Sequence, residues 1–432
     1  MISTDLAPNE SWDDAWLSLK LLFQPWKWKK GSTISEIKKL LISPLRITDD
    51  EYKIDFFLTG RSALYNLLKS LNLTKGSEVL VQAFTCEAVV LPILANNLKP
   101  IYADIEPETY SMSINDLQKK ITSKAKVLIL QHTFDLLPKY RDQIMKIAKQ
   151  NNLFVIEDVA HGFSNNLTIQ QYSNHAFLLS FGRSKSISSV FGGAIVSPNN
   201  STIQQSNNLE FPSYFFIFRC LLYKPLMMVV KSTYDIYFGK LIHRLVNRLK
   251  ILIPEITQKE KDGIFDSTFN KSYPNALSIL LLHQLKKLDR IQKNRADICK
   301  IYSRVILSEA KDLTKGRLTS PKRNYSRRNV GIDSSLRFTS FRMTKTGLIR
   351  FPLLVKNRDK IISSAKNKNI FLGKWYDQVV APKDIDLDRV KYKQESCPVA
   401  EEICKKIINL PTNISVEEAR RVVSVLNDVK LI

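Results

Sequence analysis

The chain has 432 residues, 44% of them hydrophobic and 25% charged, which is enough for two or three globular domains with a substantial core. Five scattered cysteines argue against a disulfide framework and for a reducing, cytoplasmic compartment. The formal net charge of +24 keeps nucleic acid and anionic membranes open as partners, although no zinc spacing, helix-turn-helix pattern or RNA-binding signature accompanies it.

An N-terminal arm is predicted for residues 1–50. Its cluster from Trp26 to Lys30 alternates tryptophan with lysine. Such a cluster can touch a membrane interface or nucleic acid. The simpler interpretation is packing on the body of the protein or on a partner subunit, because Lys and Trp side chains often lie along apolar surfaces.

From Phe56 onward, strand and helix patterns alternate. Apolar residues at helical spacing predict helices at 63–73, 88–96, 114–121 and 140–151. Buried apolar runs predict strands at 78–83, 100–105, 127–130, 153–157, 177–181 and 193–197. This alternation predicts an α/β fold with a mainly parallel sheet covered by helices, and a ligand site beyond the carboxyl ends of the strands.

The second half of the chain contains two segments of distinct composition. Segment 211–252 is apolar with interspersed basic residues. It fits either an interfacial helix on an anionic membrane or a helical pair that closes the active site or a dimer, and the second is the simpler reading. Basic segment 308–346 follows a long helical pattern at 275–307 and is predicted to be an inserted, disordered loop. Further helices are predicted at 399–408 and 416–426.

These patterns divide the chain into three parts. The N-terminal arm covers 1–50, a large domain covers 51–255, and a helical connection with a smaller C-terminal domain covers 256–432. The longest apolar stretch, Tyr214 to Val230, is interrupted by Arg219, Lys224 and Pro225, so no membrane-spanning helix is predicted.

One loop carries the chemistry. Lys185 stands among small hydroxyl residues, after the predicted strand that ends near Ser180, and Asp158 follows an earlier buried strand. A lysine that forms an imine with pyridoxal phosphate, and a carboxylate that keeps the pyridine nitrogen protonated, are the two groups this cofactor needs. The segment Gly60-Arg61-Ser62, directly before a helix, offers a phosphate cradle together with the hydroxyl of Ser180.

Each of these residues also has a simpler interpretation. A random lysine such as Lys185 is usually a solvated surface charge. Asp158 could cap a helix after its strand. His161 could be a core histidine, and the segment from Gly60 to Ser62 could be an ordinary helix start.

The order and spacing of these motifs resemble the sugar aminotransferases of the DegT/DnrJ/EryC1/StrS family. The matching segments are Phe57 to Leu64, Ala83 to Thr85, Tyr102 to Ile105, Gln131 to Phe134, Ile156 to Asp158, Ser180 to Lys185, Asn270 to Asn275, Gln284-Leu285, Cys397 to Glu401 and Leu410 to Thr412. The resemblance implies a fold-type-I pyridoxal-phosphate transferase, with a mainly parallel mixed sheet in the large domain and a smaller α+β domain at the C-terminus.

The resemblance also implies a function. It is the transfer of an amino group from an amino acid, glutamate in our expectation, to a nucleotide-linked keto-sugar, for cell-surface polysaccharide or related amino-sugar biosynthesis. The implied assembly is a cytoplasmic homodimer, with no metal and no specific nucleic acid. The implied catalytic residues are Lys185 and Asp158. The implied cofactor contacts are Gly60, Arg61, Ser62, Cys86, Asp158, His161, Ser180, Lys185 and, from the neighbouring subunit, Asn270.

Two departures from the family pattern stand out. Cys86 occupies the position of a stacking aromatic ring, and Asp135 replaces a glycine, which predicts an extra carboxylate near the site. The alternatives are a pyridoxal-phosphate enzyme of another reaction type, a non-catalytic regulator with the same fold, and a nucleic-acid-binding protein. The retained Lys185 argues against the sugar dehydratases of the family, where a histidine replaces the lysine.

Overall fold

A computed structural model describes residues 1–45, 52–162, 174–199, 209–318 and 347–428. The predicted basic insert at 308–346 lies outside these residues from 319 onward, and before that point a helical backbone continues to Leu318. The disorder of this insert and the three domain boundaries therefore stay predictions.

Helices and strands alternate through the described part of the chain. The α-helices are α1 Trp12–Leu22, α2 Thr33–Leu45, α3 Gly60–Ser70, α4 Glu87–Ala95, α5 Ile114–Lys120, α6 Arg141–Gln150, α7 Tyr214–Thr233, α8 Phe238–Arg248, α9 Gln258–Lys261, α10 Asn275–Leu285, α11 Leu288–Leu318, α12 Arg358–Asn367, α13 Pro398–Lys406 and α14 Val416–Asp428. The strands are β1 Ile2–Ser3, β2 Tyr52–Phe57, β3 Glu78–Gln82, β4 Thr85–Cys86, β5 Lys99–Ala103, β6 Ala125–Gln131, β7 Phe154–Asp158, β8 His175–Ser180, β9 Gly193–Pro198, β10 Arg350–Leu354, β11 Ile370–Phe371, β12 Val380–Ala381 and β13 Ile407–Pro411.

Seven strands form the central sheet, in the order β2-β9-β8-β7-β6-β3-β5. Only β9 runs antiparallel to its neighbours, and the other pairings are parallel. Strands β3, β6 and β7 are buried almost throughout and have apolar centres, as expected for a sheet that is covered on both faces. The predicted α/β fold with a mainly parallel mixed sheet is confirmed.

A glycine at the start of β9 sets the position of helix α3. A Cβ at Gly193 would lie 2.5 Å from backbone atoms of Thr59 and Gly60, so a side chain there would push the β2–α3 turn away. Because residue 193 is glycine, the N-terminus of α3 lies beside the carboxyl end of β8.

The small domain is tied to the rest of the chain by short strand pairs. Strands β10 and β13 pair in antiparallel fashion. Strand β1 of the arm pairs with β11, and β4 of the large domain pairs with β12. The β4–β12 pair therefore places the small domain against the segment that follows β3 of the central sheet.

The predicted helices need two corrections. Pattern 275–307 forms two helices, α10 and α11, because the chain breaks at Lys286 and Lys287. At this break Lys287 forms an ion pair with Asp14 of the arm, with 2.8 Å between Nζ and Oδ1. In addition, the helix predicted at 399–408 ends at Lys406, and Ile407 begins β13.

The arm packs on the body, as the simpler interpretation predicts. Helix α1 lies along α7, where the hydroxyl of Ser18 donates to the carbonyl of Leu221 over 2.7 Å. Trp28 is buried, and its indole N–H donates to the carbonyl of Leu21 over 2.7 Å. Trp26 remains 72% exposed, so only part of the tryptophan cluster is used in this packing. None of the helices in the described segments is both long enough and apolar enough to cross a bilayer.

Candidate active site

A cavity of about 550 Å³ opens at the carboxyl ends of β6, β7 and β8, between the large and small domains. Seven of the nine site residues predicted from the sequence line it: Gly60, Arg61, Cys86, Asp158, His161, Ser180 and Lys185. Ser62 and Asn270 do not line it. The cavity therefore brings together the lysine, the acid and the helix start from three separate parts of the chain.

Asp158 ends β7 and is almost fully buried at the floor of the cavity. One carboxylate oxygen accepts the backbone N–H of Ala160 over 3.0 Å, and the other accepts the Nε2–H of Gln131 over 3.1 Å. Burial raises the pKa of Asp158, while the charge of Lys185 lowers it. Asp158 thus makes the turn contact of the simpler interpretation and also presents its carboxylate to the cavity.

Lys185 lies in the loop between β8 and β9. Its backbone N–H donates to the carbonyl of Gly182 over 3.2 Å, and its own carbonyl accepts the amide of Asn9 from the arm. Its Nζ lies 5.5 Å from the centre of the Trp375 ring. The loop is held through its backbone, and Lys185 lines the cavity.

His161 and Tyr376 form a buried, neutral pair. The Nδ1 of His161 accepts the backbone N–H of Phe134 over 3.1 Å, which leaves the proton on Nε2. Nε2 lies 3.0 Å from the hydroxyl oxygen of Tyr376 and donates to it. Burial, together with the charges of Lys185 and Arg350, holds the pKa of His161 well below its usual value. Burial also raises the pKa of Tyr376 well above its ordinary range.

An aromatic wall from the small domain covers the lysine. The Trp375 ring stacks on His161 with 5.3 Å between ring centres, and the guanidinium carbon of Arg350 lies 3.2 Å from the centre of the Trp375 ring. Arg350 in turn forms an ion pair with Asp5 of the arm. Trp375, Tyr376 and Arg350 were missed by the sequence analysis. The adjacent pair Trp375-Tyr376 is visible in the sequence, but no local pattern places it opposite Lys185.

The N-terminus of α3 forms the other end of the cavity. Thr59 caps this helix, since its hydroxyl accepts the backbone N–H of Ser62 over 3.1 Å. A Cβ at Gly60 would lie 3.1 Å from the hydroxyl oxygen of Ser180, so the two residues are adjacent. The hydroxyl of Ser62 donates to the carbonyl of Phe269 over 2.6 Å and faces away from the cavity. Backbone donors and the Ser180 hydroxyl are therefore the groups offered to an anion here.

Arg61 is surrounded by carboxylates at this end. Its Nε lies 2.7 Å from Glu260, and its Nη2 donates to the backbone carbonyl of Glu255 over 2.8 Å. Glu87 and Glu255 line the cavity beside it. Burial raises the pKa of Glu87 to about 7. The charge of Arg61 opposes this shift, and the charges of Glu260 and Glu255 add to it. These acids follow no motif, so they could not be predicted from the sequence.

The remaining predicted residues take other positions. Burial raises the pKa of the Cys86 thiol to about 12, so the thiol stays neutral at the β4–α4 junction. Asn270 accepts the side-chain amide of Asn66 over 2.7 Å, and its role toward a neighbouring subunit stays a prediction. Asp135 does not line the cavity, but it lies beside Gly162, the neighbour of the lining residue His161, and its effect on the site stays a prediction. It is buried against Gly162. Burial lowers the pKa of Arg295 to about 10, and the charge of Asp135 opposes this shift.

The sequence profile of the DegT/DnrJ/EryC1/StrS aminotransferase family matches residues 57–214 and 256–427. The chain belongs to this family. The predicted family is therefore confirmed. The profile leaves out the arm and residues 215–255, which hold most of α7 and all of α8.

Among curated proteins, GDP-perosamine synthase of Escherichia coli O157:H7 is 34% identical over 146 residues, which is 33% of this chain and 40% of that protein. The dTDP-4-amino-4,6-dideoxy-D-glucose transaminase of Escherichia coli is 30% identical over 198 residues, or 44% of this chain and 50% of that one. The chain thus spans half or less of the length of these two relatives. A Bacillus subtilis protein solved with its bound cofactor PMP has a TM-score of 0.65 at 19% identity, and covers 96% of this chain and 81% of its own.

Proposed function

We propose that this protein is a pyridoxal-phosphate-dependent aminotransferase that moves an amino group from glutamate to a keto-sugar attached to a nucleoside diphosphate. The observation that carries the proposal is the meeting of Lys185, Asp158 and the N-terminus of α3 in one cavity. Membership of an aminotransferase family supports the reaction type. Relatives named for GDP-perosamine and a dTDP-linked amino sugar support the substrate class.

The residues of the cavity fit the proposed cofactor. The cavity is lined by a buried carboxylate, an amine and a helix N-terminus, which are the groups that a ring nitrogen, an aldehyde and a phosphate require. The absence of a Cβ at Gly60 leaves room beside the Ser180 hydroxyl. Glu87, with its pKa raised to about 7, can keep a proton and donate it to a phosphate oxygen.

When bound, pyridoxal phosphate supplies an electron sink for the pair left behind as the Cα proton is removed from an amino acid. Asp158 keeps the ring nitrogen protonated. The Nζ of Lys185 would hold the aldehyde group of the cofactor. As a free amine, it would act as the general base and acid that moves the proton in both half-reactions.

Three further groups shape the site in this proposal. The His161 Nε2–H fixes the hydroxyl oxygen of Tyr376, which leaves the Tyr376 proton to donate into the cavity. The Trp375 ring lies over the Lys185 amine and forms one wall of the site around it. Lys374 and Lys383 line the cavity beside these aromatic residues, and we assign them to the diphosphate of the sugar nucleotide. The proposed assembly is a homodimer in the cytoplasm, with a role in polysaccharide or related amino-sugar biosynthesis.

The test is an amino-transfer assay. Purified protein is loaded with pyridoxal phosphate and incubated with glutamate and a panel of nucleoside-diphosphate keto-sugars, and both 2-oxoglutarate and the amino sugar are measured. We expect equal amounts of the two products, and neither from Lys185→Ala. Product formation by Lys185→Ala at the wild-type rate, or no amino sugar from any member of the panel, would contradict the proposal.

A further inference from the structure

Helix α8 exposes a continuous row of large apolar side chains. Phe238, Leu241, Leu245 and Leu249 recur at three- and four-residue steps and are 45–66% exposed. Residues at this spacing lie along one face of a helix. An exposed row of this size is unusual for a soluble surface and marks a contact face.

The row continues onto the start of α7. Arg219 donates from its guanidinium to the backbone carbonyls of Lys250, Ile251 and Leu252, which ties the end of α8 to α7. The same guanidinium lies 5.7 Å from the centre of the Phe215 ring, which is 68% exposed. Phe215 therefore extends the apolar row of α8.

Basic residues flank this row, and acids are absent from it. Arg244 and Arg248 are exposed and recur four residues apart, immediately next to Leu245 and Leu249 in sequence. Lys240 and Lys250 add two further positive charges. No aspartate or glutamate occurs between 236 and 254. An amphipathic helix with apolar and basic faces of this kind suits the interface of an anionic bilayer.

The face is held in place by packing on the opposite side. Gly239 and Val246 of α8 are buried. A Cβ at Gly239 would collide with the backbone carbonyl of Val230, so glycine allows α8 to lie tightly on α7. The family profile skips residues 215–255, so neither the buried nor the exposed face of α8 is part of the matched family sequence.

We propose that this face, formed by Phe215 and the exposed side of α8, docks the protein on a bilayer rich in acidic phospholipids. Charge decides between this occupant and a second copy of the chain. A two-fold contact would bring Arg244 and Arg248 near their own copies, with no acid in the segment to pair them. Acidic headgroups satisfy the same arginines while the apolar row enters the acyl boundary.

The test is co-sedimentation of the full chain, loaded with cofactor, with vesicles of phosphatidylcholine alone or mixed with phosphatidylglycerol. We expect binding to the mixed vesicles that weakens as salt is raised. Leu241→Ser/Leu245→Ser and Arg244→Gln/Arg248→Gln should each weaken it by about tenfold or more. Matched controls are the exposed pairs Ile264→Ser/Val416→Ser and Lys366→Gln/Lys405→Gln, which should bind like wild type.

Folding of each variant is checked by its melting temperature and by its affinity for pyridoxamine phosphate, both of which should match wild type. The proposal is overturned if no vesicles bind, if the α8 variants bind as well as their controls, or if phosphatidylcholine alone binds equally. It is also overturned if Leu241→Ser/Leu245→Ser dissociates a dimer in sedimentation velocity while vesicles stay unbound, because the face then belongs to a second copy.

Discussion

Burial shifts the pKa values of single residues in the cavity. Asp158 and Glu87 both have pKa values raised by desolvation, but the partners differ. Asp158 lies within the field of the Lys185 amine and next to Gln131, whereas Glu87 shares its surroundings with Arg61 and two further acids. We therefore expect Asp158 to stay paired and charged when the ring nitrogen is bound, and Glu87 to keep its proton.

Replacement of Asp158 tests the first of these roles. Asp158→Asn keeps an oxygen that can accept the N–H of Ala160, so the turn and the fold should survive. The ring nitrogen loses its negative partner, so the rate of amino transfer should fall by about a hundredfold or more. Steady-state kinetics and a thermal melt measure the two effects. A rate within about twofold of wild type would mean that Asp158 only caps the turn.

Glu87 predicts a pH dependence of cofactor binding. Below pH 7 its carboxyl is protonated and can donate to a phosphate, and above pH 7 it is charged and repels the phosphate. Affinity for pyridoxamine phosphate, measured by calorimetry, should therefore fall as pH rises through about 7. Glu87→Gln should bind with little change across this range. An equal pH dependence in both proteins would exclude Glu87 as its source.

The raised pKa of Glu87 also makes the free energy of unfolding depend on pH in the absence of ligand. The pKa of Glu87 is raised in the folded state, so the unfolded state ionises first as pH rises from 4.5. The stability linked to this group is therefore fully present below pH 4.5 and is lost as pH rises through about 7. Urea unfolding should show a smaller decline over this window in Glu87→Gln than in wild type.

Residues near the strand ends could be predicted from sequence, and residues brought in from afar could not. Asp158 and Ser180 end neighbouring parallel strands, so the strand pattern alone brings them to one edge. Trp375 and Tyr376 reach the site only because the small domain docks through β12 and β4. Asp135 follows β6 closely in sequence and has a positive φ of 71°, and its side chain lies against Gly162 and does not line the cavity.

At the level of elements, two parts of the chain outside the family profile hold the lysine loop. Lys224 of α7 is fully buried, and its Nζ donates to the carbonyl of Ser188 over 3.0 Å and to Glu10 of the arm over 3.1 Å. Arg295 of α11 donates to the carbonyl of Ser186 over 2.9 Å. The loop around Lys185 is thus fixed by the arm, α7 and α11 together.

Removal of Lys224 from its buried ion pair with Glu10 should lower the stability of the protein. Lys224→Met leaves the Glu10 carboxylate buried without its cation, and should lower the free energy of unfolding by about 3–5 kcal/mol. The double variant Lys224→Met/Glu10→Gln removes the stranded charge and should recover much of that loss. Urea unfolding of the two variants measures the difference. If the single and double variants are equally unstable, the ion pair is not the cause.

Element prediction worked where local periodicity decides the structure and failed where a distant contact does. Strand β3 was predicted at 78–83 and is observed at Glu78–Gln82, because a buried apolar run needs no partner to be recognised. The break between α10 and α11 carries no glycine or proline. It is marked instead by the docking of Lys287 on Asp14. For segment 211–252, the pattern left two alternatives, and membrane docking by the exposed row of α8 stays our proposal.

At the scale of the whole molecule, the two domains and the arm all supply residues around one cavity. The central sheet supplies Asp158 and Ser180, the loop between β8 and β9 supplies Lys185, and the small domain supplies Trp375 and Tyr376. Strand pairs β1–β11 and β4–β12 join these parts. Truncation of either the arm or the small domain would therefore disturb the surroundings of Lys185.

The most direct test of the account is to trap the cofactor on the chain. Protein incubated with pyridoxal phosphate is reduced with borohydride, digested, and analysed by peptide mass spectrometry. We expect the added mass on Lys185, with Lys185→Arg losing both the label and the visible absorbance of the bound cofactor, and Lys374→Arg in the same cavity keeping both. Label on Lys374 or Lys383 instead of Lys185, or no label on any lysine of the cavity, would contradict the account.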